Sequence, residues 1–146
     1  MQLTSPPVVV RRAQLQARVD RLEGVHGALE HFWSNAEDRG AQPPYNARMQ
    51  FDLAVIEIAA NICEHAAHGG GVTLELELSL YGDRVEARFD DDAGPASLPA
   101  TSEMPSQAAE SGRGLAIVRR IVDELRYERV GEHHNSWFLR KQLQPE

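Results

Sequence analysis

The chain holds a single cysteine, Cys63, and a single lysine, Lys141. One thiol excludes an intramolecular disulfide and makes a reducing compartment the natural setting. With lysine almost absent, positive charge rests on scattered arginines that form no basic block, and the formal net charge is −7. That excludes the electrostatic footprint of a nucleic-acid binder and offers no grip on an anionic membrane. No apolar run approaches the ~20 residues of a membrane span, and the first residues lack the charged-then-apolar order of a secretory signal. No internal repeat is visible. A length of 146 residues suits one domain that buries its core without disulfide or metal. The expectation is a soluble, cytoplasmic protein.

What is present centres on FDLAVIEIAANICEHA, Phe51 to Ala66. The stretch is long, has neither Gly nor Pro, and reads as a helix. Apolar residues take most of its circumference, so it should be largely buried. At about 100° per residue, Glu57, Asn61 and Glu64 fall within roughly 60° of one another, with His65 at the margin of the same stripe. Taken alone, that line is the thin solvated edge of an amphipathic core helix. Its neighbours along the chain turn it into the wall of a site.

Before this helix, residues 1–12 read as a loose arm with Pro6-Pro7, leading into a first strand around Leu15, Ala17 and Val19. Val25, Leu29, Phe32 and Trp33 then recur at helical spacing, predicting a helix from about Leu22 to Glu37. Pro43-Pro44 follow its end, and Asn46 is suited to cap the next helix. After Gly69-Gly70-Gly71, Val72 to Leu80 alternate with polar residues, and Val85, Ala87 and Phe89 answer them beyond Gly82-Asp83. This hairpin should set Leu78 opposite Ala87 and Glu77 opposite Arg88, with helices covering its apolar face. Ala96 to Ser111 carries too little apolar residue to anchor an element and reads as a functional lid or a mobile segment. A helix over Leu115 to Leu125 and a hairpin of Tyr127–Val130 with Ser136–Leu143 complete the chain.

Three features stand in order. The helix carries Glu57-x-x-x-Asn61; Asp92-Ala93-Gly94 follows a strand; Gly112-Arg113-Gly114-Leu115 opens a helix. An Asn oxygen beside a carboxylate suits Mg²⁺, which keeps waters and phosphates as its other ligands. A carboxylate at a strand end, followed by glycine, can accept a hydrogen bond from an exocyclic amine on a flat ring. Glycines at a helix start leave backbone N–H groups bare for phosphate. Each of the last two is weak alone. His65-x-x-His68 and His133-His134 lack the Cys or carboxylate cluster that would complete a metal set.

On these residues the chain resembles the GHKL (Bergerat-fold) ATPases, and among them the small anti-sigma-factor serine/threonine kinases that phosphorylate anti-sigma-factor antagonists. The similarity runs from about Leu15 to Leu143. The resemblance implies an α+β, two-layer sandwich: a mixed, mostly antiparallel sheet covered on one face by helices, with residues 93–111 as an ATP lid. It also implies ATP and Mg²⁺. Glu57 matches the catalytic glutamate and Asn61 the Mg²⁺ ligand, with Glu64 and His65 beside the nucleotide. Asp92, chosen from its neighbours Asp90 and Asp91 by its spacing to Gly94, matches the adenine contact. Gly112 and Gly114, with the backbone of Arg113 to Leu115, match the phosphate-closing turn. Ser136 stands where the family often has Gly-Thr before its last strand.

The activity implied is ATP-dependent phosphorylation of a STAS-type antagonist, with Glu57 accepting the incoming hydroxyl's proton. A direct sigma-factor contact and a homodimer stay open under the same resemblance. One rival is a non-catalytic module in which nucleotide only gates the grip on a sigma factor or antagonist. The other is the catalytic domain of a histidine kinase. That rival needs a phospho-acceptor His followed by acidic and basic residues, which His31-Phe32-Trp33 does not supply.

Overall fold

The computed structural model describes residues 6–17, 22–66, 72–92, 110–132 and 134–143, without the side chains at 17, 65, 66, 72 and 110–113. The lid segment 93–109, with Gly94, lies outside the described residues, as do His68 and His133. The elements run β1 Val9–Ala17, α1 Glu23–Asp38, α2 Tyr45–Ala66, β2 Val72–Leu80, β3 Arg84–Asp91, α3 Glu110–Ile121, β4 Glu124–Arg129 and β5 Asn135–Gln142. Five strands form one sheet in the order β1-β2-β3-β5-β4. Among the described residues every pairing is antiparallel, with no parallel pair to make the sheet mixed. The α+β, two-layer arrangement follows from the chemistry of the strands, whose apolar face needs helices over it.

The hairpin has the expected register, Leu78 opposite Ala87 and Glu77 opposite Arg88. Its turn closes with Tyr81 N–H donating to Arg84 O at 2.8 Å. Leu74, Leu76, Leu78 and Leu80 meet Val85, Ala87 and Phe89 on the covered face, all at 2% exposure or less. Against them pack Phe32 and Trp33 of α1 and Phe51, Ile58 and Ile62 of α2. Phe32, Trp33 and Phe51 form an aromatic trio with centroids 4.9 to 6.4 Å apart. Burying each such side chain contributes roughly 1.5–3 kcal/mol or more.

The opposite face of the sheet is polar. One cross-strand row runs Arg12, Glu77, Arg88, Phe138, Arg126. Arg12 holds Glu77 at 2.7 Å, while Arg88 and Arg126 lie over the Phe138 ring at 5.7 and 4.4 Å.

Several boundaries differ from the sequence reading. β1 starts at Val9, so residues 9–12 belong to the sheet and not to an arm. α2 starts at Tyr45, with Arg48 N–H bonded to Pro44 O at 3.0 Å, so Asn46 sits inside the first turn and is not its cap. The prolines fix that start: Pro44 lacks the N–H that a helix start leaves unused. α3 ends at Ile121 and Leu125 joins β4, where it pairs with Leu139. On α2, Leu53 is exposed together with Tyr45 and Met49, so the outer side of its first turns is apolar yet uncovered. Among the described residues, no helix is long and apolar enough to cross a membrane.

Candidate functional site

α2 carries the polar stripe past the sheet and under α3, the helix it touches most extensively. Asn61 is only 6% exposed, and its Nδ2 is buried with no hydrogen-bond partner among the described residues. Such an orphan costs about 1–3 kcal/mol, an expense retained where a ligand completes the group. Glu57, one turn earlier, is half-buried. Among the described residues, no hydrogen bond or ion pair reaches its carboxylate. Glu64 is exposed further along, and the side chain of His65 lies outside the described residues.

The glycine segment comes to this stripe from above. A Cβ built on Gly114 would stand 2.5 Å from Glu57 Oε2, so the carboxylate rests against bare backbone. α3 begins at Glu110, which places Gly112 to Leu115 within the helix and not in a turn before it. The first turn's amides are the ones a helix leaves unpaired, and Gly114 and Leu115 lie beyond that turn. An interior glycine costs a helix only about 1 kcal/mol. Packing of Leu115 and Val118, at 1% and 0% exposure, anchors the segment and lets the helix extend back over its glycines. The side chains at 112 and 113 lie outside the described residues.

At the end of β3 the three acids separate by strand parity. Asp91 shares the covered face with Phe89 and is 2% exposed. Asn135 Nδ2 donates to its Oδ1 at 2.8 Å and Trp137 Nε1 to its Oδ2 at 3.1 Å. Asn135 Oδ1 in turn accepts from the Tyr127 hydroxyl and, at 3.0 Å, from Arg129 Nη1. Asp92 points to the rim, where Thr73 N–H donates to its Oδ1 at 2.9 Å. Asp90, on the open face, meets His134 Nε2 at 3.2 Å.

Ser136 also faces the open side, paired with Asp90 and Glu128, so the structure does not bring it to Asp91. Its neighbour Asn135 is there instead. Asn135, Trp137 and Tyr127 are the residues that sequence reasoning missed. For Asp91 alone a signal existed: continuing the Val85, Ala87, Phe89 alternation by two residues lands on it.

Among the described residues, no three His, Cys, Asp or Glu side chains gather as a metal set. A magnesium ion held chiefly by water and phosphate needs no such set. Asn61 carries a carboxamide oxygen, the donor type a hard cation takes, so the chemistry of the residues present fits that ion. Asp91 is a buried carboxylate at the end of a strand, the kind of acceptor an adenine amine takes.

These elements, an antiparallel sheet backed by a helix bearing Glu and Asn and a glycine-bearing helix above them, define an ATPase-type domain. The model of the histidine kinase-like ATPase domain matches residues 16–141, and the chain belongs to that family. Domains of this family bind ATP, usually with Mg²⁺, and the match ties the chain to ATP-using phosphotransfer in general. A comparison with curated proteins gives no match.

Proposed function

We propose that the chain is a serine/threonine protein kinase and anti-sigma factor that phosphorylates a STAS-type anti-sigma-factor antagonist, using ATP. The observation that carries the kinase part is Glu57: a half-buried carboxylate without a hydrogen-bond or ion-pair partner among the described residues, one turn from the orphaned amide of Asn61 and against α3. A carboxylate spent in no ion pair is available to accept a proton. The partner class rests on the resemblance carried by the order of the three motifs.

In this reading the partner's serine or threonine oxygen attacks the γ-phosphorus while its proton passes to Glu57. The bond from that phosphorus to the β-phosphate oxygen breaks, and ADP leaves with the electron pair. Magnesium, when bound at Asn61, supplies charge neutralisation at the phosphates. The chain's own work is positioning, which carries most of the catalysis in phosphoryl transfer. Of the acids ending β3, we place the adenine contact at Asp91 and not at Asp92. Asp91 has the inward carboxylate, while Asp92 is engaged at the rim with Thr73.

The test is incubation with labelled ATP, Mg²⁺ and an antagonist-type protein, followed by localisation of the label. Label on a serine or threonine of the partner is expected. Label on a histidine of this chain, or release as inorganic phosphate alone, overturns the reading.

A further inference from the structure

We propose that Gly114 is a positioning residue for Glu57, its missing side chain setting where the carboxylate rests. This rests on the reading of Glu57 as the proton acceptor.

An ideal Cβ at Gly114 would lie 2.5 Å from Glu57 Oε2, 3.5 Å from Cδ and 3.8 Å from Cβ. The last two are ordinary contacts; the first is far inside the ~3.5–4.0 Å at which carbon atoms meet their neighbours. Something must move if a methyl is added. The main chain is poorly placed to do so, because Leu115, Ala116 and Val118 fix α3 at 1%, 0% and 0% exposure, and Ile58 at 0% fixes α2 beside Glu57. The flexible end of Glu57 yields instead.

Backbone freedom does not explain a glycine here. Among the described glycines only Gly40 and Gly131 have positive φ. Gly114 lies in the interior of α3, where alanine is the better helix former. What position 114 requires is space, and the space is filled by a carboxylate oxygen. By contrast, the overlap at Gly24 is with a Leu15 methyl, an apolar neighbour with no chemistry to place.

The consequence is specific. A general base works at hydrogen-bond reach, about 2.6–3.2 Å, so pushing the carboxylate by a substantial part of an ångström takes it off its target. The nucleotide site proper, at Asn61 and Asp91, is untouched by that shift. Gly114 therefore governs turnover through Glu57.

Four proteins test this: wild type, Gly114→Ala, Glu57→Asp, and the double variant. Aspartate is one methylene shorter and vacates the space the new methyl needs. Each is measured for phosphoryl transfer, for ATP affinity by calorimetry with Mg²⁺, and for its urea midpoint. Gly114→Ala is expected to lower kcat at least tenfold while ATP affinity stays within twofold. In the Glu57→Asp background the same change should alter kcat less than twofold. The urea midpoint should rise more on adding the alanine in that background than beside Glu57.

Multiplicative losses in kcat, or a tenfold weaker ATP affinity in Gly114→Ala, overturn the proposal and leave Gly114 serving the phosphates. If the wild type transfers no phosphate, the kinase reading fails by itself. The midpoints still read the contact then: coupling between the two positions upholds the seat, and strict additivity removes it.

Discussion

Asn135 Nδ2 donates to Asp91 Oδ1 at 2.8 Å, between two residues that face each other across β3 and β5. With Trp137 on the other oxygen at 3.1 Å, the carboxylate is held in one orientation in a buried setting. Such networks rigidify when every member is satisfied. Asp91→Asn would set an amide N–H₂ against one of those two donors. The variant should lose about 1–3 kcal/mol of stability in urea denaturation, and calorimetry should detect no heat from adenine nucleotide with Mg²⁺. Asp92→Asn, at the exposed rim, should stay within ~0.5 kcal/mol of wild type and keep nucleotide binding. Binding lost through Asp92 and retained without the Asp91 carboxylate would reverse the assignment.

Strand parity explains how much of this was legible. The hairpin register, the buried character of α2 and the juxtaposition of Glu57 with Asn61 follow from periodicity alone, because a period of two or of 3.6 fixes which face a residue takes. The assignment of Asp92 came from counting back from Gly94, and that count carries no information about faces. Ser136 failed to reach the site for the same reason: a shift of one residue along β5 moves a side chain through the sheet. The start of α3 was hidden because glycines look like a turn until the packing of Leu115 and Val118 is known. Asn135 and Tyr127 were invisible because their roles arise only when β4, β5 and β3 lie side by side.

Asp52 gives a pH prediction. Burial raises its pKa above the usual 3.8, against the opposing pull of the Trp33 hydrogen bond and then of Arg48 and His26. The folded chain thus binds this proton more tightly than the unfolded one. The resulting contribution to stability is fully present below pH 3.8 and is lost as pH rises through the folded pKa. Asparagine at 52 keeps an acceptor for Trp33 Nε1, now 2.7 Å from Asp52 Oδ1, and has no charge to bury. The stability of Asp52→Asn relative to wild type should therefore be higher at pH 7 than at pH 3.5. Paired denaturation curves at the two values check it; an advantage that grows toward acid contradicts the burial account.

The uneven coverage of α2 predicts a contrast along one helix. Phe51 is 0% exposed and meets Phe32 and Trp33, whereas Leu53, two residues on, is 42% exposed. Phe51→Ala should cost about 3–5 kcal/mol. Leu53→Ser should change stability by no more than ~0.5 kcal/mol. Urea denaturation of both variants reads the difference, and similar losses would mean that the exposed side of α2 is covered in solution.

The polar pair on α2 should separate binding from chemistry. Asn61→Ala removes the proposed magnesium ligand, so the gain in ATP affinity on adding Mg²⁺ should fall at least tenfold. The same substitution also deletes a buried amide whose Nδ2 has no partner among the described residues, so stability without nucleotide should hold or rise. Calorimetry with and without Mg²⁺, beside thermal melts, distinguishes this from a merely structural asparagine, whose loss lowers stability and leaves the magnesium dependence intact.

The central claim is that Glu57 accepts the hydroxyl proton in phosphoryl transfer, and the most direct measurement compares wild type with Glu57→Gln for transfer of labelled phosphate from ATP to an antagonist-type protein, with ATP affinity read in parallel. The glutamine keeps the shape and removes the base. Transfer should fall by about 10²–10⁴ while ATP affinity stays within twofold. Undiminished transfer by Glu57→Gln would contradict the account.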